Sequence, residues 1–319
     1  MSIIDQKHFH DEKAAYAYVE AIMWPNGPVC PHCGGVERIG LMGGKSTRIG
    51  LYKCYQCRKP FTVKVGTIFE SSHIPLRHWL QAIFLLAASK KGISSNQLHR
   101  TLGCTLKTAW FLSHRIREAM RDGKLAPFGG GGQVVEADET YYGPVAEPKM
   151  TDEAGKPFRG SRFGRGPSNK RAVIALVERG GRARTFHVPR ADRATVEKIV
   201  AENVAKESRL HTDESHLYSK SGVPGMVSAH EAVKHSVGEY VRGDVHSNSA
   251  ENYFSVFKRG MRGVYQKCDE KHLHRYLAEF DFRYSNRVGL GVNDTERAHH
   301  ILRGAAGKRL TYQTTCGAP

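Results

Sequence analysis

The apolar positions of the chain change period several times, and the changes outline its organisation. Ile49-Gly-Leu-Tyr-Lys-Cys54 and Pro60-Phe-Thr-Val-Lys-Val65 alternate as short strands do. From Pro75 the spacing becomes helical, with Leu76, Trp79, Leu80, Ile83, Phe84, Leu86 and Ala87 on one face, ending at Lys90-Lys91-Gly92. Ser94 then caps a short helix to Leu102, Gly103-Cys104-Thr105 makes a turn, and Leu106 to Met120 forms a longer helix with Trp110, Ile116 and Met120 inward. A short helix, a three-residue turn and a second helix fit a helix-turn-helix, with an ordinary helical hairpin as the alternative.

Phe128-Gly-Gly-Gly-Gly-Gln133 reads as a flexible junction. Beyond it, Val134 to Asp138 is a strand, followed by a polar loop from about Tyr142 to Asn169. Two further strands, Arg171 to Val177 and Ala183 to Val188, are joined by the hairpin-like link Glu178-Arg-Gly-Gly-Arg182. Arg193 to Glu207 is helical in composition, Ser208 to Thr212 is a strand, Glu251 opens a helix through Lys258, and Lys271 to about Arg287 is another helix. In that last helix Leu273, Tyr276, Leu277, Phe280 and Tyr284 read as core. Three strands, a helix, a further strand and a terminal helix follow the plan of a ribonuclease-H-like α/β catalytic domain, a mixed sheet with flanking helices. The expected domains are a zinc ribbon with an N-terminal helix over 1–70, a helical helix-turn-helix module over 71–127, the α/β domain over 128–295 and a C-terminal tail over 296–319.

Charge narrows the choice of partner. The 319 residues carry 48 Lys and Arg against 31 Asp and Glu, a formal charge of +17. A polyanion is the expected partner, since phosphate neutralisation releases counterions; a generic basic surface is the alternative. No apolar run is long enough to span a membrane, and Met1-Ser-Ile-Ile-Asp-Gln-Lys lacks the pattern of a signal peptide. A cytosolic protein with no membrane partner is expected. In that reducing setting the seven cysteines point to metal rather than disulfides.

Four of them form two Cys-x-x-Cys pairs, Cys30-Pro-His-Cys33 and Cys54-Tyr-Gln-Cys57, with 20 residues between. Two such knuckles complete a closed tetrahedral site, which is structural rather than hydrolytic. Cys30, Cys33, Cys54 and Cys57 are therefore the expected zinc ligands, and His32 is read as solvent-facing. For DNA, the second helix of the helix-turn-helix offers Lys107, Thr108, His114, Arg115 and Arg117. Arg259, Arg262 and Lys267, interleaved with Tyr253 and Tyr265, offer a second track.

Against this positive background three acids stand out. Asp138 and Asp213 end strand-like runs, and Glu251 lies on a helix, so the three can meet at one sheet edge. In-line displacement at a phosphodiester uses divalent ions roughly 4 Å apart, which activate one oxygen and neutralise the other. Mg²⁺ and Mn²⁺ prefer carboxylate oxygen and water. Glu136, Glu139 and Glu214 are rivals for the same role. Glu136 shares the strand face of Asp138 but lies deeper, and Glu139 and Glu214 point away from their neighbouring aspartates.

Glu136-Ala-Asp138-Glu-Thr-Tyr-Tyr-Gly143, His211-Thr-Asp213-Glu-Ser and Val245-His-Ser-Asn-Ser-Ala-Glu251-Asn-Tyr-Phe-Ser-Val-Phe-Lys258 closely resemble the insertion-sequence transposases that join an N-terminal zinc ribbon to an ISXO-type DDE domain. The resemblance extends to Cys30–Cys57, to Gly66-Thr-Ile-Phe69 and to the helix from Lys271 to Arg287. It implies a DNA transposase of a bacterial insertion sequence. Such an enzyme would bind the element's terminal inverted repeats, hydrolyse one strand and join the freed end to target DNA, as a homodimer or larger assembly. Asp138, Asp213 and Glu251 match its acidic triad for Mg²⁺ or Mn²⁺. Asn248 and Asn252 flank the third acid and compete with it, because some members carry Asn there. Lys258, two helical turns from Glu251 on the same face, is placed to meet DNA phosphate. His246 is a candidate for orienting substrate or protonating a leaving oxygen, and His230 and His235 are candidates for lining the pocket.

Overall fold

The computed structural model describes residues 2–121, 123, 126–148, 151, 155–156, 169–219, 222–239 and 241–311. In chain order its main elements are α1 (Glu12–Met23), β1 (Ile39–Leu41), β2 (Tyr52–Cys54), β3 (Pro60–Phe61), α2 (Leu76–Ala88), α3 (Ser95–Leu102), α4 (Leu106–Met120), β4 (Val134–Pro144), β5 (Lys170–Glu178), β6 (Ala183–Val188), α5 (Arg193–Asn203), β7 (Arg209–Thr212), α6 (His216–Ser219), β8 (Ala229–Ala232), α7 (Asn248–Gly260), α8 (Leu273–Ser285) and α9 (Asp294–Arg303). They form two compact units, one of residues 1–122 with 292–319 and one of residues 123–291. Most of the polar loop expected between Tyr142 and Asn169, with its arginines, lies outside the described residues.

In the first unit, β1, β2 and β3 make an antiparallel sheet. Beneath it Trp24 packs edge-on against Tyr52 and Phe61. Helices α2, α3 and α4 follow as the apolar spacing predicts. The Ser94 hydroxyl accepts from the Gln97 N–H at 3.1 Å, a side-chain cap that starts α3, and Gly103 turns the chain at φ 64° before α4. The chain's end departs from the expected tail. Asn293 and Glu296 form a capping box that starts α9, which packs on α1, α2 and α4. Arg297 donates to the Ala87 carbonyl at 2.7 Å. A Cβ on Gly304 would lie 2.4 Å from the Ala119 carbonyl oxygen, so only glycine admits so close an approach. The buried apolar face of α9 is only Ala298, Ile301 and Leu302, set among polar residues.

In the second unit five strands lie in the order β6-β5-β4-β7-β8. β4, β5 and β6 are antiparallel, and β7 and β8 join parallel to β4. This is the ribonuclease-H-like arrangement, with helices on both faces. Val135, Ala137, Ile174 and Leu176 pack with Val196, Ile199 and Val200 of α5 and Tyr218 of α6. On the opposite face Val173, Ala175 and Val177 meet Ala250, Phe254 and Phe257 of α7 and Leu277 and Phe280 of α8. β5 is apolar on both faces, which is why Ala172–Val177 is a continuous apolar run.

Three expectations change. β4 continues to Pro144 because β5 pairs with it along its whole length, so Asp138 is mid-strand rather than at a strand end. The polar strand β8, Ala-His-Glu-Ala, has no apolar alternation to reveal it. The glycine run is no flexible junction. Gly129 donates to Glu178 Oε1 at 3.1 Å, and Gly130 donates to Ser208 Oγ at 3.0 Å. A Cβ on Gly129, at φ +76°, would fall 2.1 Å from that hydroxyl.

Candidate active site

Strand register brings two of the acids, Asp138 and Asp213, together. β4 and β7 run parallel with Val134 opposite Arg209 and Glu136 opposite His211. Two residues further, the same register carries Asp138 beside Asp213. β7 ends at Thr212, and Asp213 turns into the loop as its Oδ1 accepts from the Ser215 N–H at 3.0 Å. Asp138 is thus at the end of the parallel ladder, although its strand continues. Helix α7 begins at Asn248, three residues earlier than expected, and carries exposed Glu251 in its first turn. Glu251 Oε1 accepts from the Ser247 hydroxyl at 3.1 Å and lies 3.8 Å from His235 Nε2.

The electrostatics record this convergence. Burial, then the charges of Glu139, Asp213 and Glu251, push the Asp138 carboxyl up to about 8. Burial also raises Asp213, with Glu214 and Glu251 acting in the same direction against the Ser215 N–H and His235. Glu139 is pushed up to about 7 by burial and then by Asp213. Its Oε1 accepts from the Ser215 hydroxyl at 3.3 Å, and the buried ring of Tyr218 stands beside it. Burial lowers Lys258, while the charge of Asp138 opposes that shift. The lysine therefore stands in the field of this cluster. Like charges gathered in a poorly solvated site favour a bound cation, and the donors are hard oxygens of the kind Mg²⁺ and Mn²⁺ take.

Glu136 is a different kind of acid. It is fully buried and held by Arg179 at 2.9 Å, while His246 Nδ1 lies 3.4 Å from the same oxygen. His246 thereby faces Glu136 and Arg179. His230 Nε2 meets Thr212 Oγ1 at 3.0 Å. Asn248 and Asn252 are exposed on α7.

The expected DNA contacts divide. Lys107 is exposed in the first turn of α4, and the Thr108 N–H donates to the capping Thr105 hydroxyl at 3.2 Å. Arg115 does not face solvent: it is buried, donates to the Glu70 carbonyl at 2.6 Å and lies over the Trp79 ring. His114 and Arg117 are buried too. All three are enclosed within the unit rather than offered to DNA. Arg259 and Arg262 are exposed, the latter in the π-helical turn Met261–Tyr265. Tyr253 is buried and donates to Asp281 at 2.6 Å, and Tyr265 bonds Glu279. Both rings are core, not stacking platforms.

In the first unit the two knuckles bring the four thiols together. All Sγ atoms of Cys30, Cys33, Cys54 and Cys57 lie within 4.8 Å of one another, with 3.6 Å between Cys30 and Cys57 and 3.7 Å between Cys33 and Cys54. Thiolates about 2.3 Å from a tetrahedral zinc stand about 3.8 Å apart, so the set fits that ion. The backbone N–H groups of Cys57 and Gln56 favour the Cys54 thiolate, while the neighbouring thiols push Cys33 the other way.

The cysteine knuckle pair of one unit and the ribonuclease-H-like sheet of the other each match a domain model of the zinc-ribbon transposases. Residues 130–285 match the ISXO2-like transposase domain and residues 10–60 the transposase zinc-ribbon domain, and the chain belongs to this ISXO2-like transposase family. It is 30% identical over 283 residues to an uncharacterized protein in transposable element ISH50 of Halobacterium salinarum, covering 87% of this chain and 92% of that one. Among solved structures, the Mos1 strand transfer complex is 13% identical over 70% of this chain and 73% of that chain, with a TM-score of 0.29. A simian T-cell lymphotropic virus intasome is 12% identical over 58% and 63%, with a TM-score of 0.28. These two likenesses are too distant to carry an argument.

Proposed function

We propose that the protein moves a DNA element by metal-dependent phosphodiester hydrolysis and strand transfer, with Asp138, Asp213 and Glu251 holding Mg²⁺ or Mn²⁺. The observation that carries this reading is the β4/β7 register, which sets Asp138 beside Asp213 at the end of the ladder while Glu251 bears electrostatically on both. When bound, the ions activate the attacking oxygen and neutralise the leaving one. The chain's own residues supply the rest. Lys258 offers its ammonium to a DNA phosphate beside the acids, and Arg259 and Arg262 extend the positive track along the backbone. Ser247 and His235 orient Glu251. Zinc held by Cys30, Cys33, Cys54 and Cys57 fixes the ribbon, which with Lys107 and Thr108 of the helix-turn-helix engages the element's terminal inverted repeats. Two ends must be held together, so a homodimer or larger assembly on DNA in the cytoplasm is part of the reading. Incubating the protein with Mn²⁺ and a duplex carrying the DNA that flanks its coding region tests it. Joined products support transposition, cleavage alone indicates a nuclease, and no reaction overturns both.

A further inference from the structure

Helix α7 has no cap of its own. Its N-cap residue, Ser247, makes no capping bond to the helix backbone, and instead its hydroxyl donates to Glu251. The cap comes from another element. Glu136 of β4 accepts the backbone N–H of Ser249 at 2.7 Å and of Ala250 at 3.2 Å through Oε2. Its Oε1 accepts from the Ser249 hydroxyl at 3.0 Å and from Arg179 Nε and Nη2 at 3.0 and 2.9 Å. Arg179 in turn donates to the carbonyls of Asp244 and His246 at 2.7 and 3.2 Å, which ties down the segment leading into the helix. Both oxygens of Glu136 are therefore engaged, and it cannot bind a metal without dismantling the helix start.

The placement of this bond matters. Glu136 precedes Asp138 by two residues on one face of β4, about 7 Å along the strand, and the N–H groups it accepts belong to the two residues just before Glu251. One carboxylate thus links the strand that carries the first acid to the helix that carries the third. A carboxylate at a helix N-terminus is also favoured by the helix dipole. Resting on the metal-site reading above, we propose that Glu136, locked by Arg179, is a positioning residue that sets the separation of Asp138 and Glu251.

Residues that orient metal ligands typically contribute 10–100-fold in metal affinity or activity. In the full-length protein, Glu136→Gln is expected to weaken Mn²⁺ binding, followed by EPR of the free ion, at least about 10-fold. The kcat for end cleavage should fall comparably, the KM for duplex should stay within about twofold, and raised Mn²⁺ should restore part of the rate. Ser249→Ala, which removes only a hydroxyl bond, should lower Mn²⁺ affinity a few fold. If Glu136→Gln does not fold, this milder variant decides. Wild-type Mn²⁺ affinity in whichever variant is folded overturns the proposal, even if its melting temperature falls, because only a structural role would then remain. Asp138→Ala separates the two levels. If it abolishes Mn²⁺ binding while the Glu136 and Ser249 variants leave it intact, only the positioning role fails. If Asp138→Ala itself leaves Mn²⁺ binding and cleavage intact, the metal-site reading falls and the positioning role with it.

Discussion

The ribbon's four thiols and the second unit's acids, the two metal-ligand sets of the proposed function, are built in opposite ways. The thiols come from two tight knuckles close in sequence and stand within 4.8 Å of one another. The acids come from a strand, a strand-end loop and a helix, from Asp138 to Glu251, and among the described residues the thiols are the one set of three or more metal-ligating side chains so closely gathered. A closed site of soft ligands is completed by local chain geometry. The acid site of the proposed function depends instead on sheet register and on the carboxylate that caps α7.

Removing zinc should have the largest effect. Structural zinc contributes on the order of 10 kcal/mol to small zinc-binding folds, so Cys54→Ser should lose the bound ion and unfold the ribbon. NMR or near-UV circular dichroism would show it, and Mn²⁺ binding at the acids should persist. Loss of both together would break the comparison. Next in size, Asp138→Ala or Asp213→Ala should cut end cleavage by about a thousand-fold or more, since each removes several kcal/mol of charge stabilisation at about 1.4 kcal/mol per decade. Zinc content, read by atomic absorption, should not change.

A pH dependence sharpens the contrast. The Asp138 carboxyl lies at about 8 in the fold, above its ordinary 3.8. Its contribution is therefore fully present below the lower value and lost as pH rises through the upper one. Without Mg²⁺ or Mn²⁺, stability to urea should fall by a few kcal/mol between about pH 4 and pH 8. Asp138→Asn should make that slope shallower, the remainder coming from Glu139 and Asp281, both also pushed up to about 7, and added Mg²⁺ should offset the Asp138 part in the wild type. The smallest effect belongs to binding. Lys107→Ala should weaken affinity for DNA modestly and reduce the salt slope by about 1, whereas Arg115→Ala should lower the melting temperature, because its guanidinium is a buried strut.

The two sites were also unequally legible. Cys-x-x-Cys spacing is a local signal and required no knowledge of long-range pairing. Asp138 ends an apolar alternating run, Asp213 ends the strand-like Arg209-Leu-His-Thr, and a helix carries Glu251. Glu136 lay in the same alternating run, but its role depends on α7 returning across the sheet 113 residues later, which no local pattern reveals. The same limit explains Arg115 and the C-terminal helix. Sequence shows which side chains are polar, and only tertiary packing shows them buried, as Glu70 and Trp79 do for Arg115 and α1, α2 and α4 do for α9. The Gly129–Gly132 run misled for a related reason, since left-handed backbone in a bonded turn and a loose linker have the same composition.

The most direct test of the acid site is to assay the wild type and Asp138→Ala together, on one preparation each, for zinc content and for Mn²⁺-dependent cleavage and joining of duplex element ends. One zinc per chain in both, with products from the wild type alone, is the predicted result. Cleavage by Asp138→Ala at the wild-type rate would contradict it.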